Sequence, residues 1–215
     1  MEQFKILPTT DYYGHYILRK TVQGFYHSNY FGGGNWSIDG AIENMIWTLK
    51  NDVNPFPSRL SKSKEILRMI LLTDLPEILQ MTEYKRLTVV VVPRAKVESN
   101  YRADQLYFRE IVSNVASNLG DGFSDGTKYI TRHTNTKTTH LRDGKGGDGS
   151  YPYLGITKDT CHFSPYITGN DILLIDDIYT NTVNIDEDAI QALFDKGANS
   201  VTFYCIGKTV RKNYY

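Results

Sequence analysis

Six consecutive apolar or β-branched residues, Leu87 to Val92 in "RLTVVVVPRAK", leave little choice of local structure. A run of that length without polar alternation reads as a strand covered on both faces, the kind found in parallel sheets with helices on either side. The residues that follow agree with this. In "NYRADQLYFREIVSNVASNLG", Phe108, Ile111, Val112, Val115 and Leu119 recur at helical spacing, and Gly120 ends the helix. A second unit repeats the order, with "DILLIDDIY" as a buried strand and a helix whose apolar face is Ile185, Ala189, Ile190, Leu193 and Phe194. Asn184 is expected to cap that helix with Glu187 three residues on, Gly197 to stop it, and "NSVTFYCIG" to form the next strand. The alternation predicts an α/β fold with a mostly parallel central sheet flanked by helices, over residues 86–215.

Residues 1–85 have poor periodicity and many aromatics and glycines, and are expected to form a mostly helical N-terminal hood over the sheet. One helix is expected within Ser37 to Asp52, where Ile42, Met45, Ile46 and Leu49 share a face. "SKSKEILRMILL" continues helically, and "TDLPEILQM" suggests a new start with Asp74 as N-cap and Pro76 in the first turn. From about residue 120 to 169 the chain is polar and glycine-rich, with "TKYITRH" its only good strand candidate, so a long functional or mobile loop is expected.

Composition narrows the function classes. Lys plus Arg equals Asp plus Glu, 24 of each, which removes any overall basic excess for nucleic acid or anionic membranes. Two cysteines, Cys161 and Cys205, lie far apart without metal-ligand spacing, and the five histidines show none either. No apolar run is long enough to span a membrane, and "MEQFKILPTTDYYGHY" lacks the pattern of a secretion signal, so a cytoplasmic protein is expected. "GGG" at 32–34 lacks the strand-before, helix-after setting of a dinucleotide fingerprint. The stretch from Lys128 to Lys145 carries five basic residues against Asp143 alone, which suits an anion-binding loop or a nucleic-acid contact.

The chemistry concentrates at Asp176 and Asp177, adjacent carboxylates at the end of the second buried strand. Open α/β sheets bind ligands beyond the carboxyl ends of their strands. Two carboxylates there can accept hydrogen bonds from vicinal hydroxyls or hold Mg2+, which commonly arrives with phosphate. The loop that follows runs into a helix whose N-terminal N–H groups and dipole suit a phosphate. Asp186, Glu187 and Asp188 read as first-turn acids rather than ligands.

"ILLIDDIYTNTVNIDEDAIQALFDKGANSVTFYCIGKT" resembles the phosphoribosyl pyrophosphate signature of the type I phosphoribosyltransferases, closest to the ComF-type, amidophosphoribosyltransferase-like branch. "VVVVPRAK" is similar to that branch's pyrophosphate-contacting strand and loop, and "KTTHLRD" loosely resembles its basic closing segment. The resemblance covers roughly residues 86–209 and is strongest over 171–209. It implies that Asp176 and Asp177 bind the ribose hydroxyls directly or through Mg2+, and that Thr180, Asn181, Thr182, Val183 and Asn184 hold the 5'-phosphate. It further implies that Arg94, Ala95 and Lys96 flank the pyrophosphate and that Lys137, His140 and Arg142 close over it.

The implied activity is transfer of phosphoribose from 5-phosphoribosyl diphosphate to a nitrogen acceptor. The acceptor and the oligomeric state stay open, and no protein or nucleic-acid partner is indicated. Thr182 stands where the family has glycine and Asn184 where it has threonine, and the cysteine-rich zinc element of many ComF-type proteins is absent. The altered loop motivates an alternative on the same fold, a non-catalytic protein that senses a phosphoribosyl ligand or nucleotide. An unrelated α/β protein whose acid pair holds Mg2+ for phosphoryl chemistry is a third reading.

Overall fold

The computed structural model describes residues 1–32, 34–50, 54–137, 155–157, 159–181 and 183–210. In chain order the elements are β1 (Glu2–Ile6), β2 (Thr9–Thr10), β3 (Tyr16–Leu18), β4 (Val22–Tyr30), α1 (Ile42–Lys50), α2 (Pro57–Thr82), β5 (Leu87–Val91), α3 (Tyr107–Asn118) and β6 (Phe123–Asp125). There follow β7 (Ile130–Arg132), β8 (Cys161–Phe163), β9 (Asp171–Tyr179), α4 (Ile185–Asp195) and β10 (Ser200–Thr209).

The central sheet has six strands in the order β1-β4-β10-β9-β5-β6. All neighbours run parallel except β1, which pairs antiparallel with β4. The α/β class with a mostly parallel sheet and flanking helices is therefore observed. Strands β5 and β9 carry it as the apolar runs require: every residue of β5 is buried, and Ile172 to Ile175 of β9 are fully covered.

Two apolar layers follow from strand alternation. Leu173 and Ile175 of β9, with Val89 and Val91 of β5, face α1, α2 and α3. Ile172 and Leu174, with Val90 and Phe203, face α4 and the segment around β7 and β8.

The expectation of helix and loop before residue 85 needs correction. Strands β1 and β4 lie there, and β4 extends the central sheet through β10. Their glycine and aromatic content hides the strand period. Gly24 sits under the ring of Phe4, where an added Cβ would come within 2.6 Å of Cε1, so glycine here admits an aromatic cover. Within the loop expected over 120–169, β7 falls in the strand candidate "TKYITRH" and pairs antiparallel with β8, while β6 and β8, three residues each, are too short to show a pattern.

A second correction concerns Asp74 and Pro76. No helix begins there; α2 runs on through Pro76. Proline removes one backbone donor inside a helix and crowds the preceding turn. The apolar face formed by Leu67, Ile70, Leu71, Leu75 and Ile78 nevertheless holds the helix against the sheet. Asp74 is no cap but a buried acceptor: Tyr204 Oη donates to its Oδ2 at 2.7 Å, and His27 Nδ1 lies 2.9 Å from the same oxygen.

These bonds tie α2 to β10 and β4. Asp74→Ala is expected to cost about 3 kcal/mol, because it strands a buried tyrosine hydroxyl. Urea denaturation of Asp74→Ala, Tyr204→Phe and the double variant checks this. Strictly additive losses would show that the pair is not coupled.

Candidate functional site

β9 alternates through Ile175, and both of the acids that follow reach one lysine. Asp176 is paired in register with Cys205 of β10. The lysine is Lys50, the last residue of α1: its Nζ is 2.8 Å from Asp177 Oδ1 and 3.6 Å from Asp176 Oδ1. All three side chains are mostly covered, at 13 to 14% exposure.

The two carboxyls consequently titrate apart. Burial, then the charge of Asp177, pushes Asp176 up to about 7 against the pull of Lys50. Burial also raises Asp177, but the Lys50 ammonium and the bonds from Asp176 and Lys50 outweigh it and hold this carboxyl below its ordinary value. Beneath them lies Asp186, in the first turn of α4, which burial and then Asp176 and Glu187 raise well above the usual carboxylate range.

The expectation that Asp186 and Glu187 are ordinary first-turn acids is thus corrected. Both are buried, and among the described residues Asp186 Oδ1 and Glu187 Oε2 have no hydrogen-bond partner. Tyr179 Oη donates to Glu187 Oε1 at 2.7 Å, so Glu187 is bound to β9 instead of forming a capping box. Asn184 precedes α4 without a side-chain cap bond and adopts a left-handed backbone, φ 59°, which asparagine tolerates better than most residues. Thr180 Oγ1 bonds Thr209 Oγ1 at 2.8 Å, Val183 donates its N–H to Thr180 O, and Asn181 Oδ1 accepts from Tyr179 Oη. These residues form the turn between β9 and α4. Thr182 lies outside the described residues, as do His140 and Arg142.

The basic residues arrive from the neighbouring strand. Val92 donates its N–H to Ile175 O, so the loop after β5 leaves the sheet beside the acids. Arg94 of this loop stacks its guanidinium 4.1 Å over the Tyr101 ring and donates to Gln105 O. Lys96 Nζ donates to Thr136 O at 2.8 Å, and Ala95 O accepts from both the N–H and the hydroxyl of Thr136. Lys137 follows directly, half-buried next to this clamp.

Sequence reasoning missed Arg109 of α3, and it counted Arg132 of β7 only as part of a basic stretch. Together with Arg94 and Lys96 they line one crevice, in which Glu98 is the single acid and pairs with Arg109. Burial and then the nearby Arg94 lower the pKa of Arg109. An adjoining crevice is lined by Lys50, Arg94, Gln105 and Arg109 with Val91, Val92, Leu106 and Phe108, so that Lys50, the partner of the acids, borders it. It encloses about 20 Å³, room for a water; a larger anion requires side chains to turn aside.

The described residues at Thr136 and at Gly155–Ile156 are held by neighbouring elements. Arg132 Nη1 donates to Gly155 O and Asp188 Oδ2 accepts from the Ile156 N–H, while Thr136 is held by the loop after β5. Both stretches therefore meet between that loop and α4.

Among the described residues no group of three or more His, Cys, Asp or Glu is arranged to hold a metal ion. Asp176 and Asp177 therefore suit Mg2+ only as partial ligands, with water and ligand oxygens filling the remaining positions, which is how this ion is usually bound. A cation already sits on these carboxylates in the form of Lys50, so the donor set fits positive charge. No described helix is long and apolar enough to cross a membrane. The sequence matches no protein-family model and no curated protein.

A carboxyl whose folded pKa is raised above the unfolded 3.8 contributes stability that is intact below that value and lost as pH climbs through about 7. Without divalent cations, Asp176→Asn is expected to be more stable than the natural protein by on the order of 2 kcal/mol at pH 8, with the gain vanishing toward pH 4. Urea titrations across that range check this. A difference independent of pH would refute the assignment of Asp176 as the high carboxyl.

Proposed function

We propose that the chain is a Mg2+-dependent phosphoribosyltransferase-like protein of the type I, ComF-like kind, which binds 5-phosphoribosyl diphosphate and transfers its phosphoribosyl group to a nitrogen acceptor. One observation carries the reading. The acid pair on β9 and the basic crevice beyond β5 stand side by side at the carboxyl ends of neighbouring parallel strands. Vicinal hydroxyls need the first and a diphosphate the second, and a single donor molecule presents both.

In this reading Asp176 and Asp177 hold the ribose hydroxyls, directly or through Mg2+, and the turn Thr180–Asn184 receives the 5'-phosphate at the entrance to α4. Arg94, Lys96, Arg109 and Arg132 face the diphosphate. Mg2+, when bound, supplies charge neutralisation for the diphosphate. The bond from the anomeric carbon to the diphosphate oxygen breaks with its electron pair leaving on the diphosphate. The acceptor nitrogen forms the new bond and releases its proton to solvent or to a neighbouring carboxylate. Such a displacement needs positioning and anion stabilisation more than covalent help. The aromatic N-terminal part, with α1 and the exposed Trp36 and Trp47, forms the hood that would meet the acceptor.

Calorimetry with 5-phosphoribosyl diphosphate is expected to show binding that requires Mg2+ and is lost in the Asp176→Asn, Asp177→Asn double variant. Arg109→Ala should weaken binding at least tenfold, about 1.4 kcal/mol. Release of pyrophosphate on addition of an acceptor marks an enzyme. Tight binding with no turnover against any nitrogen acceptor supports the sensing alternative, and no binding by the folded natural protein overturns both.

A further inference from the structure

Lys50 joins two parts of the site that the chain supplies from different strands. Its ammonium occupies the position between Asp177 and Asp176, and its side chain lines the crevice shared with Arg94 and Arg109. Phe108 stands beside it, with Nζ 5.3 Å from the ring centroid.

We infer that Lys50 is an exchangeable counter-ion: it occupies Asp177 until a divalent cation displaces it, and its ammonium then turns into the basic crevice to meet the donor's diphosphate. This rests on the phosphoribosyl reading of the site.

Three observations carry the inference. Asp177 Oδ1 is the atom that a bridging cation between the two acids would need, and the Lys50 ammonium already holds it at 2.8 Å. Lys50 lies 2.8 Å from Asp177 but 3.6 Å from Asp176, so its single charge engages one carboxyl closely, whereas a divalent ion takes oxygens from both. The four-carbon stem of lysine carries a compact charge on rotatable bonds, and the neighbouring crevice is where an anion would draw it. A lysine that merely fastened α1 to the sheet would have no reason to border that crevice. Lys50 is thus a positioning residue for the cation and a direct contact for the diphosphate.

Mn2+ alone is the probe for the first half, with the free ion followed by electron paramagnetic resonance. Lys50→Met is expected to bind Mn2+ at least tenfold more tightly than the natural protein, and Lys50→Arg, which keeps the charge, is expected not to. Inorganic pyrophosphate, added at saturating Mn2+, should bind Lys50→Met at least tenfold more weakly. If Lys50→Met does not fold by circular dichroism, Lys50→Gln is read in the same way.

Equal or weaker Mn2+ binding by the folded neutral variant overturns the exchange, and undiminished pyrophosphate binding overturns the diphosphate contact. Donor binding by the natural protein is measured separately. Its loss alongside intact Mn2+ competition removes the phosphoribosyl reading and leaves the counter-ion exchange standing. Donor binding without Mn2+ competition does the reverse.

Discussion

The adjacent acids at the end of β9 share one ammonium, that of Lys50, and share it unequally. Asp176 has Asp177 and Lys50 beside it, with Asp186 and the buried Cys205 close by on the side of α4. Asp177 has the closer contact with Lys50. Identical side chains one residue apart thereby acquire opposite tendencies, one toward the neutral acid and one toward the carboxylate. Pairs whose environments drive their protonation apart are a mark of functional sites, though buried ion pairs in purely structural settings do the same. Here the separation follows from the placement of one lysine.

The topology decides what surrounds the pair. From β5 the chain crosses through α3 to β6 at one edge of the sheet; from β9 it crosses through α4 to β10 in the other direction. Helices α3 and α4 therefore cover opposite faces. The strand order reverses between β5 and β9, and loops leaving a sheet at such a point diverge and open a crevice. One wall of it comes from the acids of β9, the other from the arginines and lysine of β5, its loop and α3. Each set is engaged in part by a residue of opposite charge, the cations by Glu98 through Arg109 and the acids by Lys50.

How far the sequence discloses this differs from element to element. β5, β9, β10, α3 and α4 were legible because both-face burial and a clean helical stripe leave direct marks on composition. The acid pair was legible for the same reason, since it interrupts an apolar run. β4 was not, because Gly24 and its aromatic neighbours satisfy a local fit against Phe4 that no periodicity encodes. Pro76 suggested a boundary, and tertiary packing along α2 overrode it. Lys50 and Arg109 are contacts between elements remote in sequence, and nothing in "WTLKND" or "YFREIV" points to a partner on another strand. Asp186 and Glu187 misled for a subtler reason: acids belong in a helix's first turn on electrostatic grounds, whether that turn is solvated or buried.

Their burial leads to the last step. A buried carboxylate oxygen without a partner is costly, and native proteins hold few of them. Asp186 Oδ1 and Glu187 Oε2 lie in one turn of one helix, directly under Asp176. Selection for stability alone would replace them with apolar residues, since the surrounding layer of Ile190, Leu193 and Leu174 already excludes water. Glu187 has one structural justification in the bond from Tyr179 Oη, which anchors the strand end before the turn. Asp186 instead has Asp176 as its neighbour. Burial and then Asp176 and Glu187 drive Asp186 toward the neutral acid, which leaves the negative charge of this strand end with Asp177, the carboxyl that Lys50 holds. The burial of acids around the first turn of α4 and the single lysine at the acid pair are then two aspects of one arrangement, since a cluster that keeps fewer carboxyls charged needs fewer cations.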